Sequence, residues 1–134
     1  VGVDRLQTWW KPGVLCIGDA AHTMSPIGGV GINIAIQDAV AAANLLSAPL
    51  REGRLRDSDL AAVQARRLFP ARATQAAQVF LQDRIIAPSL ARAGGTVKVP
   101  FIVKLMQWLP VLRRLPARLI ALGVRPEHVR TKAV

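Results

Sequence analysis

Tyrosine does not occur in this sequence, cysteine occurs once and histidine twice. A lone cysteine, Cys16, closes no internal disulfide, so a disulfide scaffold is excluded and a reducing, cytoplasmic setting is expected. His22 and His128 stand far apart, and no Cys/His/Glu group has metal-ligand spacing, which argues against a metal centre. Acidic residues are scarce: 8 against 18 Lys and Arg, for a formal net charge of +10. None falls between Arg84 and Pro126. No run reaches the roughly 18 uninterrupted apolar residues of a membrane span. No signal peptide, internal repeat or low-complexity stretch is visible. With 51% of its 134 residues hydrophobic, the chain has the material for one domain with a modest core, and disorder is not expected.

What is present is concentrated between Gly18 and Asn33. The apolar run Val14-Leu15-Cys16-Ile17 has no alternation, as expected of a strand buried on both faces. Gly18 lets a ligand lie close to the backbone. Asp19 offers a carboxylate that accepts hydrogen bonds from hydroxyl groups. Pro26 stiffens the loop. Gly28, Gly29 and Gly31 permit close approach and positive φ just before a helix expected from about 31 to 47. The first amides of that helix have no internal partner, and its dipole favours negative charge there. From Ile32 to Leu46 the polar residues are only Asn33, Gln37, Asp38 and Asn44. A helix apolar nearly all round is expected to be buried. An acid at the end of a strand and glycines at the mouth of a helix match the place where open α/β sheets bind ligands.

Around this segment, residues 1–10 read as a strand, followed by a turn at Lys11-Pro12-Gly13. Pro49 and Gly53 read as a connecting loop, and Asp57 or Ser58 as the N-cap of a second helix running to about Ile86. Phe69, Ala73, Ala76 and Phe80 share one stripe of it, the expected buried one. Pro70 is expected to kink or break it. Pro88 and Gly94-Gly95 end the region, and two short helices are expected after Pro100, divided at Pro110 and Pro116.

Gly18-Asp19-Ala20-Ala21-His22, Ser25-Pro26, Gly28-Gly29-Val30-Gly31-Ile32-Asn33 and Gln37-Asp38-Ala39 together resemble the second flavin-binding motif of class A FAD-dependent monooxygenases. These are the aromatic hydroxylases related to p-hydroxybenzoate hydroxylase and the ubiquinone-biosynthesis hydroxylases. The resemblance covers about Trp10 to Leu46. A weaker likeness to bacterial members of the group extends to Gly123-Val124-Arg125-Pro126-Glu127-His128. It implies FAD as cofactor, NAD(P)H as reductant, and hydroxylation of a small organic substrate, aromatic in the named hydroxylases, with O2. It implies that Asp19 binds a ribityl hydroxyl, that Pro26 lies beside the isoalloxazine ring, and that the amides of Ile32 and Asn33 meet its pyrimidine edge. The implied cofactor-binding set is therefore Gly18, Asp19, Pro26, Gly28, Gly29, Gly31, Ile32 and Asn33, with no catalytic side chain, because the cofactor carries the oxidising chemistry. His22 reads as a loop residue with a satisfied ring nitrogen rather than a general base. Asn33 and Gln37, one turn apart, either order the helix mouth or bond to a neighbouring segment.

No Gly-x-Gly-x-x-Gly follows a strand near the N-terminus, and residue 1 is Val. The expected fold is thus mostly α with one or two β-strands, the C-terminal fragment of an α/β, Rossmann-like FAD-binding flavoprotein. Residues 1–50 are expected to be the strand–loop–helix of the FAD-binding domain and residues 51–134 a helical C-terminal region. The fragment alone is expected to be inactive. The basic, apolar stretch 97–122 has three readings. It packs on other domains or a homodimer partner, it lies on an anionic membrane surface as a separate binding module, or, least favoured because no reading motif is present, it binds nucleic acid.

Overall fold

A computed structural model describes residues 3–26, 29–87, Arg114, Arg118 and 122–131. Gly28, the Gly94-Gly95 pair and the two helices expected after Pro100 lie outside the described residues, as does most of the 97–122 stretch. Most of the described residues are helical. Four two-residue strands, β1 (Asp4–Arg5), β2 (Trp10–Lys11), β3 (Val14–Leu15) and β4 (His22–Thr23), precede two long helices, α1 (Val30–Arg51) and α2 (Asp57–Leu81). A 3₁₀ turn, Gly18–Ala20, sits between β3 and β4, and a π-turn, Gln82–Ile86, prolongs α2.

The expected turn at residues 11–13 is a two-residue hairpin. Lys11 pairs with Val14 and Trp10 with Leu15, antiparallel. Pro12 comes first in the loop and Gly13, at φ +79°, second, the order a type II turn requires. β1 pairs with β4, also antiparallel, Asp4 opposite Thr23 and Arg5 opposite His22. Residues 3–10 therefore do not make one strand, and the 14–17 run is not buried on both faces. Its pairing stops at Leu15, and Val14 is 57% exposed, because β2 is its one ladder partner among the described residues.

Strands this short leave many backbone groups unpaired, and buried ones need partners. Three glutamines of α2 supply them. Gln64 accepts from the Trp9 amide (3.0 Å) and donates to the Gln7 carbonyl (2.8 Å). Gln75 donates to the carbonyls of Asp4 (2.9 Å) and Thr23 (3.1 Å), one on each strand of the β1–β4 pair. Gln78 accepts from the Ser25 amide (3.1 Å) and donates back to its carbonyl (2.8 Å). The side-chain amide has one donor and one acceptor side, so it pairs with backbone as a neighbouring strand would.

The buried stripe of α2 is accordingly Leu60, Val63, Arg67, Ala71, Gln75 and Gln78, spaced three and four apart as one helical face demands. The expected stripe is on the outside: Phe69 and Phe80 are each 60% exposed. Hydrophobicity alone misplaced the face because the polar partners of β1, β4 and α1 claim it. Pro70 is fully buried and α2 runs through it unbroken. The N-cap of α2 lies one residue before Asp57 and two before Ser58, the two expected positions. Arg56 is the N-cap, and the Asp59 carboxylate accepts its amide at 2.9 Å, half of a capping box.

α1 likewise extends past Pro49 to Arg51. Its end is a Schellman motif: Gly53 at φ +62°, the Gly53 amide on the Leu50 carbonyl (3.2 Å) and the Arg54 amide on the Pro49 carbonyl (3.0 Å). By length and composition α1 could cross a membrane. It packs instead on α2 and on the 3₁₀ turn, and carries a buried ion pair at mid-length. Ile34 joins Trp9, Ala21, Met24 and Ala71 in one core cluster, with Cys16 against it, and Leu46, Leu60 and Val63 form a second. Ile32 and Ile36 are exposed, so the expectation that this helix is buried all round fails. α2 and the N-terminal segment cover one side of it.

Ile34→Ala is expected to cost about 3 kcal/mol, a buried aliphatic truncation, and Phe69→Ala less than about 0.5 kcal/mol, a surface change. Urea unfolding of the two variants measures both.

Candidate functional site

The first turn of α1, the loop before it and the 3₁₀ turn enclose one cleft of about 670 Å³. Asp19, Met24, Pro26, Gly29, Gly31 and Ile32 line it. Five of the eight site residues expected from the sequence thus meet around one space. Gly18 and Asn33 are not on its wall, and Gly28 lies outside the described residues.

Two glycines shape it. Gly29 caps α1 in the left-handed region at φ +62°, with no side-chain cap on the helix, and its amide donates to the Pro26 carbonyl at 3.2 Å. A Cβ there would meet nothing within 4 Å, so it is backbone conformation that calls for glycine. Gly18 has a packing reason as well. It sits at φ +58° and a Cβ would come within 3.0 Å of the Ala35 Cβ. On that side the close neighbour is α1 itself. With Gly29 as N-cap, the amides of Val30, Gly31 and Ile32 precede the first intrahelical bond, whereas the fourth position, Asn33, falls where the Gly29 carbonyl accepts.

Behind the cleft lies a polar cluster the sequence reading did not find. Asp38 is fully buried. Its Oδ2 accepts the Gly18 amide at 3.1 Å and lies 2.6 Å from His22 Nε2, and its Oδ1 accepts Arg67 Nε at 2.8 Å. An ionised carboxylate only accepts, which assigns a proton to Nε2. Arg67 also donates to the Arg125 carbonyl (3.1 Å) and the Gln37 side chain (3.4 Å). Next to it Arg66 grips Glu127 through two bonds, 2.6 and 2.9 Å. His22 is buried against Trp9, ring centroids 4.9 Å apart, and its Nδ1 has no partner among the described residues. The expectation of one satisfied ring nitrogen holds, although the ring belongs to β4 and not to a loop. Gln37 takes the second of its two expected roles, donating to the Leu122 carbonyl at 2.9 Å.

Burial by itself would raise the Asp38 pKa. Hydrogen bonds from His22, Arg67 and the Gly18 amide, with the charge of His22, outweigh it and hold the carboxyl below the ordinary aspartate value. One signal for this cluster was present in the sequence: a charged residue in the middle of an apolar helix is seldom buried unless paired. Which of 18 basic residues pairs with it was not readable.

An apolar cleft, a carboxylate on its wall and uncapped helix amides at its mouth suit a flat heteroaromatic ring with a hydroxylated chain. The FAD binding domain family matches residues 2–77, more than half of the chain. The chain belongs to that family. FAD is accordingly its cofactor. The 6-methylpretetramide 4-monooxygenase of Streptomyces rimosus is 42% identical over 125 residues, 93% of this chain and 29% of that protein. FAD-dependent monooxygenases of Aspergillus flavus and Hypoxylon pulicicidum, atmM and nodM, are each 33% identical over 78% and 66% of this chain and 22% and 19% of their own length. The chain spans less than a third of the length of these relatives. No solved structure matches it.

A depressed carboxylate stabilises the fold above its unfolded pKa, about 3.9 for aspartate, and that contribution is lost as pH falls through the lower folded value. Stability should therefore fall as pH drops below about 4. Asp38→Asn, which strands the buried Arg67 charge, is expected to cost about 3–5 kcal/mol at neutral pH and to flatten the acid dependence. Urea titrations at several pH values check both.

Proposed function

We propose that this chain supplies the flavin-contacting segment of an FAD-dependent monooxygenase that uses NAD(P)H and O2 to hydroxylate an organic substrate in the cytoplasm. One observation carries the reading: Asp19, Pro26 and the uncapped start of α1 share a single cleft, within a stretch related to monooxygenases. Residues 1–50 are the flavin-contacting part of the proposal, and the helical region from residue 51 backs it.

The Asp19 carboxylate accepts a hydrogen bond from a ribityl hydroxyl, and ionised it does so as a charge-assisted acceptor. Pro26 and Ile32 offer apolar wall to the ring. The amides of Val30, Gly31 and Ile32, at the positive end of α1, face the ring edge that becomes more negative on reduction. The flavin supplies the electron transfer and oxygen chemistry when bound. The residues described here bind and orient it and carry no proton-transfer step. The aromatic hydroxylases of the resembling group make an aromatic substrate the first to test.

The test is an amide-resolved NMR titration of the 134-residue chain with FAD, with ADP as control. FAD should move the amides of residues 18–20 and 29–33, and ADP should not. Asp19→Ala should weaken FAD by about tenfold or more, the worth of one charge-assisted hydrogen bond. An Asp19→Ala variant with unchanged FAD affinity, or shifts remote from the cleft, would count against the assignment.

A further inference from the structure

Asp38 does not line the cleft, yet it holds the segment that does. Its Oδ2 bonds both residue 18, through the amide (3.1 Å), and residue 22, through the ring (2.6 Å). One oxygen thereby pins the two ends of a five-residue segment, from the 3₁₀ turn to the start of β4, whose second member is Asp19. Inside the loop the Ala21 amide closes on the Gly18 carbonyl at 2.9 Å. Gly18 is pressed on Ala35, one turn before Asp38 on the same helix. The other oxygen is fixed by Arg67, which is anchored in turn on the Arg125 carbonyl. Asp19 itself is exposed, and among the described residues no bond of its own side chain fixes it. Its place on the cleft wall is set by the backbone on either side.

We propose that Asp38 is a positioning residue for flavin binding, holding the Gly18–Ala20 turn so that the Asp19 carboxylate faces the cleft. The proposal rests on the flavin reading above. It makes a claim that a merely structural role does not: the loss of Asp38 acts on flavin through Asp19. Residues that work through one contact are non-additive, whereas independent losses add.

The experiment is a double-mutant cycle on the full chain, with FAD affinity measured by flavin fluorescence and amide shifts. Asp38→Asn should weaken FAD about tenfold beside wild-type Asp19 and less than twofold in the Asp19→Ala background. The paired change Asp38→Asn with Arg67→Gln removes both buried charges together and serves in the same cycle if Asp38→Asn alone does not fold. In the unaltered chain the Gly18 amide should exchange its proton far more slowly than exposed turn amides, a measurement that needs no variant. Equal weakening in both backgrounds, unchanged FAD affinity in a folded Asp38 variant, or a fast-exchanging Gly18 amide would overturn the proposal. If the unaltered chain binds no flavin, the functional reading falls and this one with it. Binding that ignores Asp38 defeats this one alone.

Discussion

A carboxylate sealed from water is tolerated only when its oxygens are fully engaged. Asp38 meets that condition with donors from three separate elements: the 3₁₀ turn, β4 and α2. Each of those elements is therefore held in place relative to α1 by one charge. Hydrophobic contact is not directional. The ion pair and its hydrogen bonds fix direction, because a guanidinium fork and a carboxylate meet well only over a narrow range of geometry.

The same logic extends outward from Arg67. Its second nitrogen reaches the Arg125 carbonyl, and Arg66 beside it holds Glu127. Asn44, further along α1, donates to the His128 carbonyl and accepts from the Arg130 amide. Residues 123–131, which form no strand or helix, are laced across both helices by these polar side chains. The glutamines of α2 do the same for the N-terminal segment. Where regular secondary structure is short, side-chain amides and ion pairs complete the backbone's hydrogen bonding.

This arrangement bears on function because the cleft and the polar cluster share a wall. The cleft side of the 3₁₀ turn carries Asp19, and its inner side presents the Gly18 amide to Asp38. Left-handed Gly29 opens the helix mouth, while Gly18 lets the turn approach α1. A ligand in that cleft meets a surface assembled from α1 and the turn together, so a change in how those two pack reaches the ligand without touching it.

Much of this was legible in the residues themselves. Pro12-Gly13 specified its turn, and the Gly18–Asn33 pattern located the cleft. Five of its eight expected residues line it, because that order of acid, proline and glycines serves a local strand–turn–helix geometry. The helix beginning at the glycines also followed from local pattern. The burial of Asp38, the choice of Arg67 from among many arginines, and the outward turn of Phe69 and Phe80 did not. Each depends on a residue 29 or more positions distant, as Asp38 and Arg67 are, or on which helix face meets a partner. Local sequence settles φ, ψ and periodicity. Which buried charges find one another is decided only when distant segments pack and the free energy of leaving water must be balanced there.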